Sequence, residues 1–349
     1  MKKVAIMTIQ SINIGNRLQN YALQEVIKKL GYDVYTIRRK KHKWPSVKTV
    51  LEEMKDFFRT LIGTRKGLYI RFDKMRIRFG REYALVNETA FGLADTYDFF
   101  VAGSDQVWNP YYGHLVGSSD LLLFARERQK VSYAASFGVD EIPAEKKEIY
   151  SEALRNFKEI SVREEAGARI VKNLIGREAA IVLDPTLLLD ISQYKKIQKR
   201  PRDIPGRKYI LVYLLGGKSK IFTEYMKKNK EHDGYELYDI LQWTTSGRQL
   251  PVGPAEFIYL VNNSEMVLTD SFHATVFAVI FHKPVKTFPR EGIDISSRIV
   301  TLAALLGLKT NFTEDEIFYI NKDEDYKLID KHLGEEKKKS IGFLKRALE

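Results

Sequence analysis

Short apolar runs alternate with helix-period segments along nearly the whole of this chain, and that alternation narrows the fold more than any other feature. Residues 3–9 read as a strand. After a polar loop, Leu23, Val26, Ile27 and Leu30 supply the i, i+3, i+4, i+7 face of a helix over about 18–30. Gly31 closes that helix and residues 34–37 open the next strand, giving a βαβ-like start. Apolar runs resume at 97–102, 131–135, 159–162 and 180–183, with helical patterns at 146–157 and 164–174 between them. Strands separated by helices build open, mostly parallel α/β sheets.

The pattern breaks once. Residues 194–207 are polar, charged and carry Pro201 and Pro205, as linkers do. A second alternation starts at Tyr209-Ile210-Leu211-Val212-Tyr213-Leu214-Leu215, with strands expected near 235–238, 266–268 and 285–288 and helices near 221–228, 255–261, 272–281 and 296–306. The expected architecture is two doubly wound, Rossmann-like α/β domains facing a cleft. Residues 1–195 form the first, with a basic helical insertion at about 40–90. Residues 208–322 form the second, and 323–349 read as a charged surface helix with Leu328, Ile329, Leu333, Ile341, Leu344 and Leu348 on its apolar side.

Composition removes several classes of chemistry. The chain has no cysteine, so thiol nucleophiles, thiolate metal sites and disulfides are excluded. Its six histidines lack ligand spacing and its carboxylates do not cluster, so no metal is expected. The N-terminal run turns polar within ten residues, as a strand does and a signal peptide does not, and no apolar run reaches the ~20 residues of a membrane span. A cytoplasmic location is expected.

The net charge is +12, from 57 basic and 45 acidic residues, which favours anionic partners. The only concentrated patch is 38–78, where bases interleave with Phe57, Phe58, Leu61, Ile62, Leu68, Tyr69 and Phe72. That segment reads either as a solvated insertion packed on its own domain or as a surface for an anionic membrane. No motif that reads nucleic acid is present, so a nucleic-acid partner is not expected.

In open α/β sheets ligands sit outside the carboxyl ends of the strands. Applied here, that rule selects Gly15-Asn16, then Gly103-Ser104-Asp105-Gln106-Val107-Trp108-Asn109, then Arg163, Asp184-Pro185 and Thr269-Asp270-Ser271-Phe272-His273. No GxxxxGK[ST] loop occurs, and Gly15-Asn16 does not fit GxGxxG. The last of these stretches is wedged between a buried strand and the apolar Val276–Phe281 segment. It therefore puts a histidine on the first turn of a helix, where free N–H groups favour an anion. The alternative is a simple helix cap by Asp270 or Ser271. Trp108 reads as a platform for a sugar ring or as ordinary core.

In this order, these residues together resemble the polysaccharide pyruvyl transferase family. The likeness runs over most of residues 1–310 and includes Leu18-Gln19-Asn20, Gly253-Pro254-Ala255-Glu256-Phe257 and Ser297-Arg298-Ile299. It implies a GT-B-like fold. It also implies transfer of the pyruvyl group of phosphoenolpyruvate to a sugar of a surface polysaccharide or its precursor, lipid-linked in some pathways, with no cofactor beyond that co-substrate. Many members carry an arginine two positions before the histidine, where this chain has Ser271.

The expected roles follow from the resemblance and the donor's charge. His273 is the general acid and Asp105 a base or sugar ligand. Arg163, Ser271, Phe272 and Arg298 hold the donor. Gly15, Asn16, Ser104, Gln106, Trp108, Asn109 and Asp184 line the acceptor side. Any lipid-linked acceptor would bring the enzyme to the inner face of the membrane. The rival reading is a GT-B glycosyltransferase with a nucleotide-sugar donor on the same scaffold.

Overall fold

The computed structural model describes residues 1–40, 47–85, 92–112, 119–204, 206–229, 234–242, 250–290, 296–308, 318–321 and 326–349. Residues 41–46 of the basic patch lie outside them. The chain divides into two compact units. One comprises Met1–Lys55, Asp73–Leu188 and Glu335–Glu349; the other comprises Asp56–Phe72 and Leu189–Gly334.

The elements in chain order begin with β1 (Lys3–Met7), α1 (Ile14–Lys29), β2 (Asp33–Lys40), α2 (Val47–Ile62), α3 (Arg65–Arg76), β3 (Phe79–Leu85), β4 (Phe99–Ala102) and β5 (Lys130–Ser132). They continue with α4 (Lys147–Arg155), β6 (Ser161–Val162), α5 (Glu165–Ile175) and β7 (Ala180–Ile181). The first unit's sheet runs β3-β2-β1-β4-β5, every pair parallel. A short parallel pair, β6–β7, continues beyond it through isolated bridges such as Ala135 to Val162.

Two local readings change. Helix α1 starts at Ile14, four residues before the expected start at about 18, because the side chain of Asn13 accepts from Gly15 N at 2.8 Å and Asn16 N at 3.4 Å. Gly15 and Asn16 therefore sit on a helical first turn and not in a loop. The 40–90 segment is not wholly a helical insertion, since β3 extends the sheet. Its Phe-Gly-Arg-Glu-Tyr-Ala-Leu sequence places charge in the middle of an edge strand, which hides the strand pattern while protecting the edge.

The second unit holds α6 (Ile191–Ile197), β8 (Tyr209–Tyr213), α7 (Lys220–Lys228), β9 (Glu236–Asp239), α8 (Pro254–Asn263), β10 (Met266–Thr269), α9 (Phe272–Ile280) and β11 (Val285–Thr287). It also contains α10 (Ser296–Leu305), β12 (Phe318–Ile320) and the start of α11 (Tyr326–Ala347). Its sheet runs β12-β11-β10-β8-β9, parallel except for β12. Every residue of α9 is buried, as expected of a helix apolar all round. Phe277 of α9 stacks edge-on with Tyr194 at 4.9 Å and with Phe257 at 5.8 Å, which ties α6, α8 and α9 into one core.

The helix expected at the end of the chain is α11, with Ile329, Leu333, Leu344 and Leu348 of its apolar side buried. Residues 335–349 belong to the first unit, where Ser340 Oγ accepts from Leu183 N at 3.0 Å and Tyr32 Oη donates to the Leu348 carbonyl at 2.8 Å. Leu344 and Leu348 are fully buried there.

Candidate functional site

Both sheets reverse their strand order, and each reversal is a switch point at which neighbouring loops splay apart to leave a crevice. In the first unit it lies between β1 and β4; in the second, between β8 and β10. Most of the polar residues named from sequence gather at these two places; Arg298 lies on α10.

In the first unit, the turn after β4 cannot carry a side chain at its start. A Cβ on Gly103 would stand 2.1 Å from the Tyr133 carbonyl oxygen. Two residues on, Asp105 is left-handed, with φ 72°, a conformation that Asp tolerates better than most residues. That backbone aims its carboxylate at Asn16, whose Nδ2 donates to Oδ2, and at Arg163, whose Nη2 donates to Oδ1 at 3.3 Å. Arg163 Nη1 donates to Asp184 Oδ2 at 3.0 Å, and Ser104 Oγ reaches the same oxygen at 2.9 Å. The other oxygen of Asp184 accepts from Thr186 N and Oγ1 at 3.0 and 2.6 Å.

Asn16, Ser104, Asp105, Arg163 and Asp184 are thus one buried network. Glu164 adds a third carboxylate, 3.8 Å from Arg163 Nε. Burial alone would lower the Arg163 pKa, but the charges of Asp105, Asp184 and Glu164 outweigh it and hold the guanidinium above its usual value. Three carboxylates of its own unit surround the arginine expected to hold the donor. Its charge is committed to them, which argues for a positioning role. Gln106 and Asn109 bond to each other at 2.8 Å beside this network.

Of the two readings open for Trp108, the structure realises ordinary core. It is fully buried, with ring centroids 5.2 Å from Phe137 and 5.5 Å from Phe157, and its Nε1 donates to the Asp120 carbonyl at 3.2 Å. It is core and offers no face to a sugar. Its place after a strand end left both readings open, and only packing shows which way the ring turns.

In the second unit, the end of β10 builds a different arrangement. Asp270 does not cap α9. Its carboxylate turns back to the end of β8, accepting from Leu215 N at 2.6 Å and Gly216 N at 2.7 Å. Arg290, just past β11, closes on it. Nε lies 3.1 Å from Oδ2, and Nη2 donates to Oδ1 at 3.2 Å and to the Asp270 carbonyl at 2.7 Å. Ser271 occupies the N-cap position of α9 without a side-chain cap bond. Its amide instead donates to Thr269 Oγ1 at 3.0 Å.

The cap reading is therefore not realised by either side chain. The positive end of α9 keeps His273 on its first turn, 8% exposed and edge-on to Phe272 at 5.4 Å. Arg298 is buried in α10. Arg290 was missed by the sequence reading, although the strand-end rule applied to 285–288 points directly at it. Among the described residues no group of three or more His, Asp or Glu is arranged to hold a metal ion.

A family model described as polysaccharide pyruvyl transferase matches residues 13–289, which includes Asn16, Asp105, Arg163, Asp184, Asp270 and His273. No curated protein matches the sequence. Among solved structures, a putative UDP-N-acetylglucosamine 2-epimerase from Listeria monocytogenes matches at TM-score 0.52 and 10% identity, covering 99% of this chain and 90% of that one. The S. aureus MnaA–UDP co-structure matches at TM-score 0.50 and 12% identity, covering 90% and 85%. At such identities the likeness is one of fold alone, and the fold is GT-B-like, α/β with parallel sheets.

Proposed function

The chain belongs to the polysaccharide pyruvyl transferase family, and from that premise we propose that it transfers the pyruvyl group of phosphoenolpyruvate to a sugar of a surface polysaccharide or its precursor, forming a pyruvate ketal. One observation supports the reading: neither Asp270 nor Ser271 caps α9, so the first turn of that helix, with His273 on it, keeps its amides uncapped at the second unit's switch point beside Arg290. A donor with one carboxylate and one phosphate needs such donors.

In this mechanism His273 delivers a proton to the methylene carbon of the donor while a sugar hydroxyl adds to the neighbouring carbon and loses its own proton. A second hydroxyl of the same sugar then attacks that carbon, and phosphate leaves. Arg290, with Ser271 and Arg298, holds the anionic groups. Arg290 supplies the cation that many relatives carry two positions before the histidine. Asp105 acts on the acceptor as base or sugar ligand, with Gly15, Asn16, Ser104, Gln106, Asn109 and Asp184 shaping that side. Acid catalysis of this type contributes roughly 10²–10⁴-fold.

The test is incubation with phosphoenolpyruvate and a panel of sugars, following phosphate release and added mass on the sugar. Stabilisation against heat by a nucleoside diphosphate and not by phosphoenolpyruvate would instead support a nucleotide-sugar transferase on the same fold.

A further inference from the structure

The apolar face of one helix points away from any core. In α2, Met54, Phe57, Phe58, Leu61 and Ile62 recur at i, i+3, i+4, i+7 and i+8, the spacing of a single helical face, and each is 56–65% exposed. The opposite, polar face is the one that packs. Gly67 of α3 comes so close that a Cβ there would stand 2.0 Å from the Arg59 carbonyl oxygen. Arg71 Nη2 donates to the Thr60 carbonyl at 2.8 Å, and Asp56 pairs with Arg59 at 2.6 Å and with Lys66 at 2.7 Å. With Asp56, Arg59 and Thr60 engaged on α3, the greasy stripe is left to solvent. A helix amphipathic in this sense has its usual partner on the outside.

Charge identifies that partner. Residues 38–78 contain fourteen Lys and Arg against four Asp and Glu, so +10 of the chain's +12 falls in this one segment and the remainder is nearly neutral. A second copy of the chain would set the same positive segment against itself, because a two-fold interface pairs each patch with its own image. Nucleic acid would satisfy the charge and leave Phe57, Phe58, Leu61 and Ile62 wet. A bilayer rich in anionic lipid satisfies both, taking the apolar side chains at the acyl boundary and the bases among the headgroups.

We propose that α2 is an interfacial anchor: it lies in the plane of an anionic lipid surface with Met54, Phe57, Phe58, Leu61 and Ile62 inserted. At 1.5 Å per residue it contributes a rod about 24 Å long. No helix of the described residues is long and apolar enough to cross a membrane, so the contact is in-plane. The proposal does not depend on the transfer reaction.

The full chain is sedimented with sucrose-loaded vesicles of phosphatidylcholine alone and of phosphatidylcholine with phosphatidylglycerol, at low and high salt. Binding is expected to be at least about tenfold tighter to the anionic vesicles and to weaken with salt. The triple variant Phe57→Ser/Phe58→Ser/Leu61→Ser should lose at least about tenfold in affinity with its melting temperature unchanged, since those side chains touch little of the fold. Equal binding to both vesicles, retained binding by the triple variant, or no binding by the natural chain each overturns the proposal. So does a dimer in light scattering that binds no vesicles and that the triple variant turns into monomer, because a second copy then covers the stripe.

Discussion

Each unit collects polar residues at the switch point of its sheet, but the two clusters differ in charge balance, one guanidinium against three carboxylates in the first and one against one in the second. Around β1 and β4 a single guanidinium, Arg163, faces Asp105, Asp184 and Glu164. Around β8 and β10 a single carboxylate, Asp270, is met by Arg290 and two backbone amides, next to the positive end of α9. The first cluster has its cation enclosed by anions; the second gathers donors round one anion. An arginine at a strand end is therefore not in itself an anion site. What surrounds it decides how far its charge is balanced within its own unit: threefold at Arg163, once at Arg290.

The contrast is easiest to break at Arg163. Its side chain is 2% exposed, and Arg163→Met leaves three carboxylates facing one another without their cation. Removing one partner of a buried charge network costs roughly 3–5 kcal/mol, so thermal unfolding should fall by several degrees or the variant should fail to fold. A variant that melts normally and loses only affinity for phosphoenolpyruvate would restore Arg163 as a donor ligand.

His273→Gln comes next. Turnover should drop at least tenfold, within the ~10²–10⁴ that acid catalysis supplies, with the melting temperature little changed. Unaltered turnover removes the histidine from the chemistry. Arg290→Lys sharpens the other half of the comparison. Lysine keeps the charge but cannot grip both oxygens of Asp270, so KM for phosphoenolpyruvate should rise several-fold, on the order of 1 kcal/mol, with kcat changing less. A fall in kcat at constant KM would move Arg290 from binding to catalysis. The smallest expected effect is Trp108→Phe, which removes the bond to the Asp120 carbonyl and some packing for about 1–2 kcal/mol of stability. Acceptor KM should not move; a change there would return the indole to the sugar site.

Much of this was legible in the chain. The expected strands at 3–9, 209–215 and 266–268 and the helix at 272–281 each overlap β1, β8, β10 and α9 with ends off by two residues at most, because fully buried parallel strands and all-apolar helices leave continuous runs. The strand-end rule found Asp105, Asp184 and His273. It missed β3, whose central charges disguise an edge strand, and it overlooked Arg290, which follows the three-residue strand β11. The start of α1 was misplaced for another reason: a cap is set by one side-chain bond from Asn13 and not by periodicity.

Sequence alone determined the α/β class, the family and the list of polar residues at strand ends, since each of these is written in local order and spacing. Tertiary structure decided what those residues face. It enclosed Arg163 in carboxylates, turned Trp108 into core, aimed Asp270 backward at Arg290 and pointed the apolar stripe of α2 outward. Those outcomes depend on contacts between residues far apart in the chain, and the energy of a charge or an aromatic face is set by its neighbours in space.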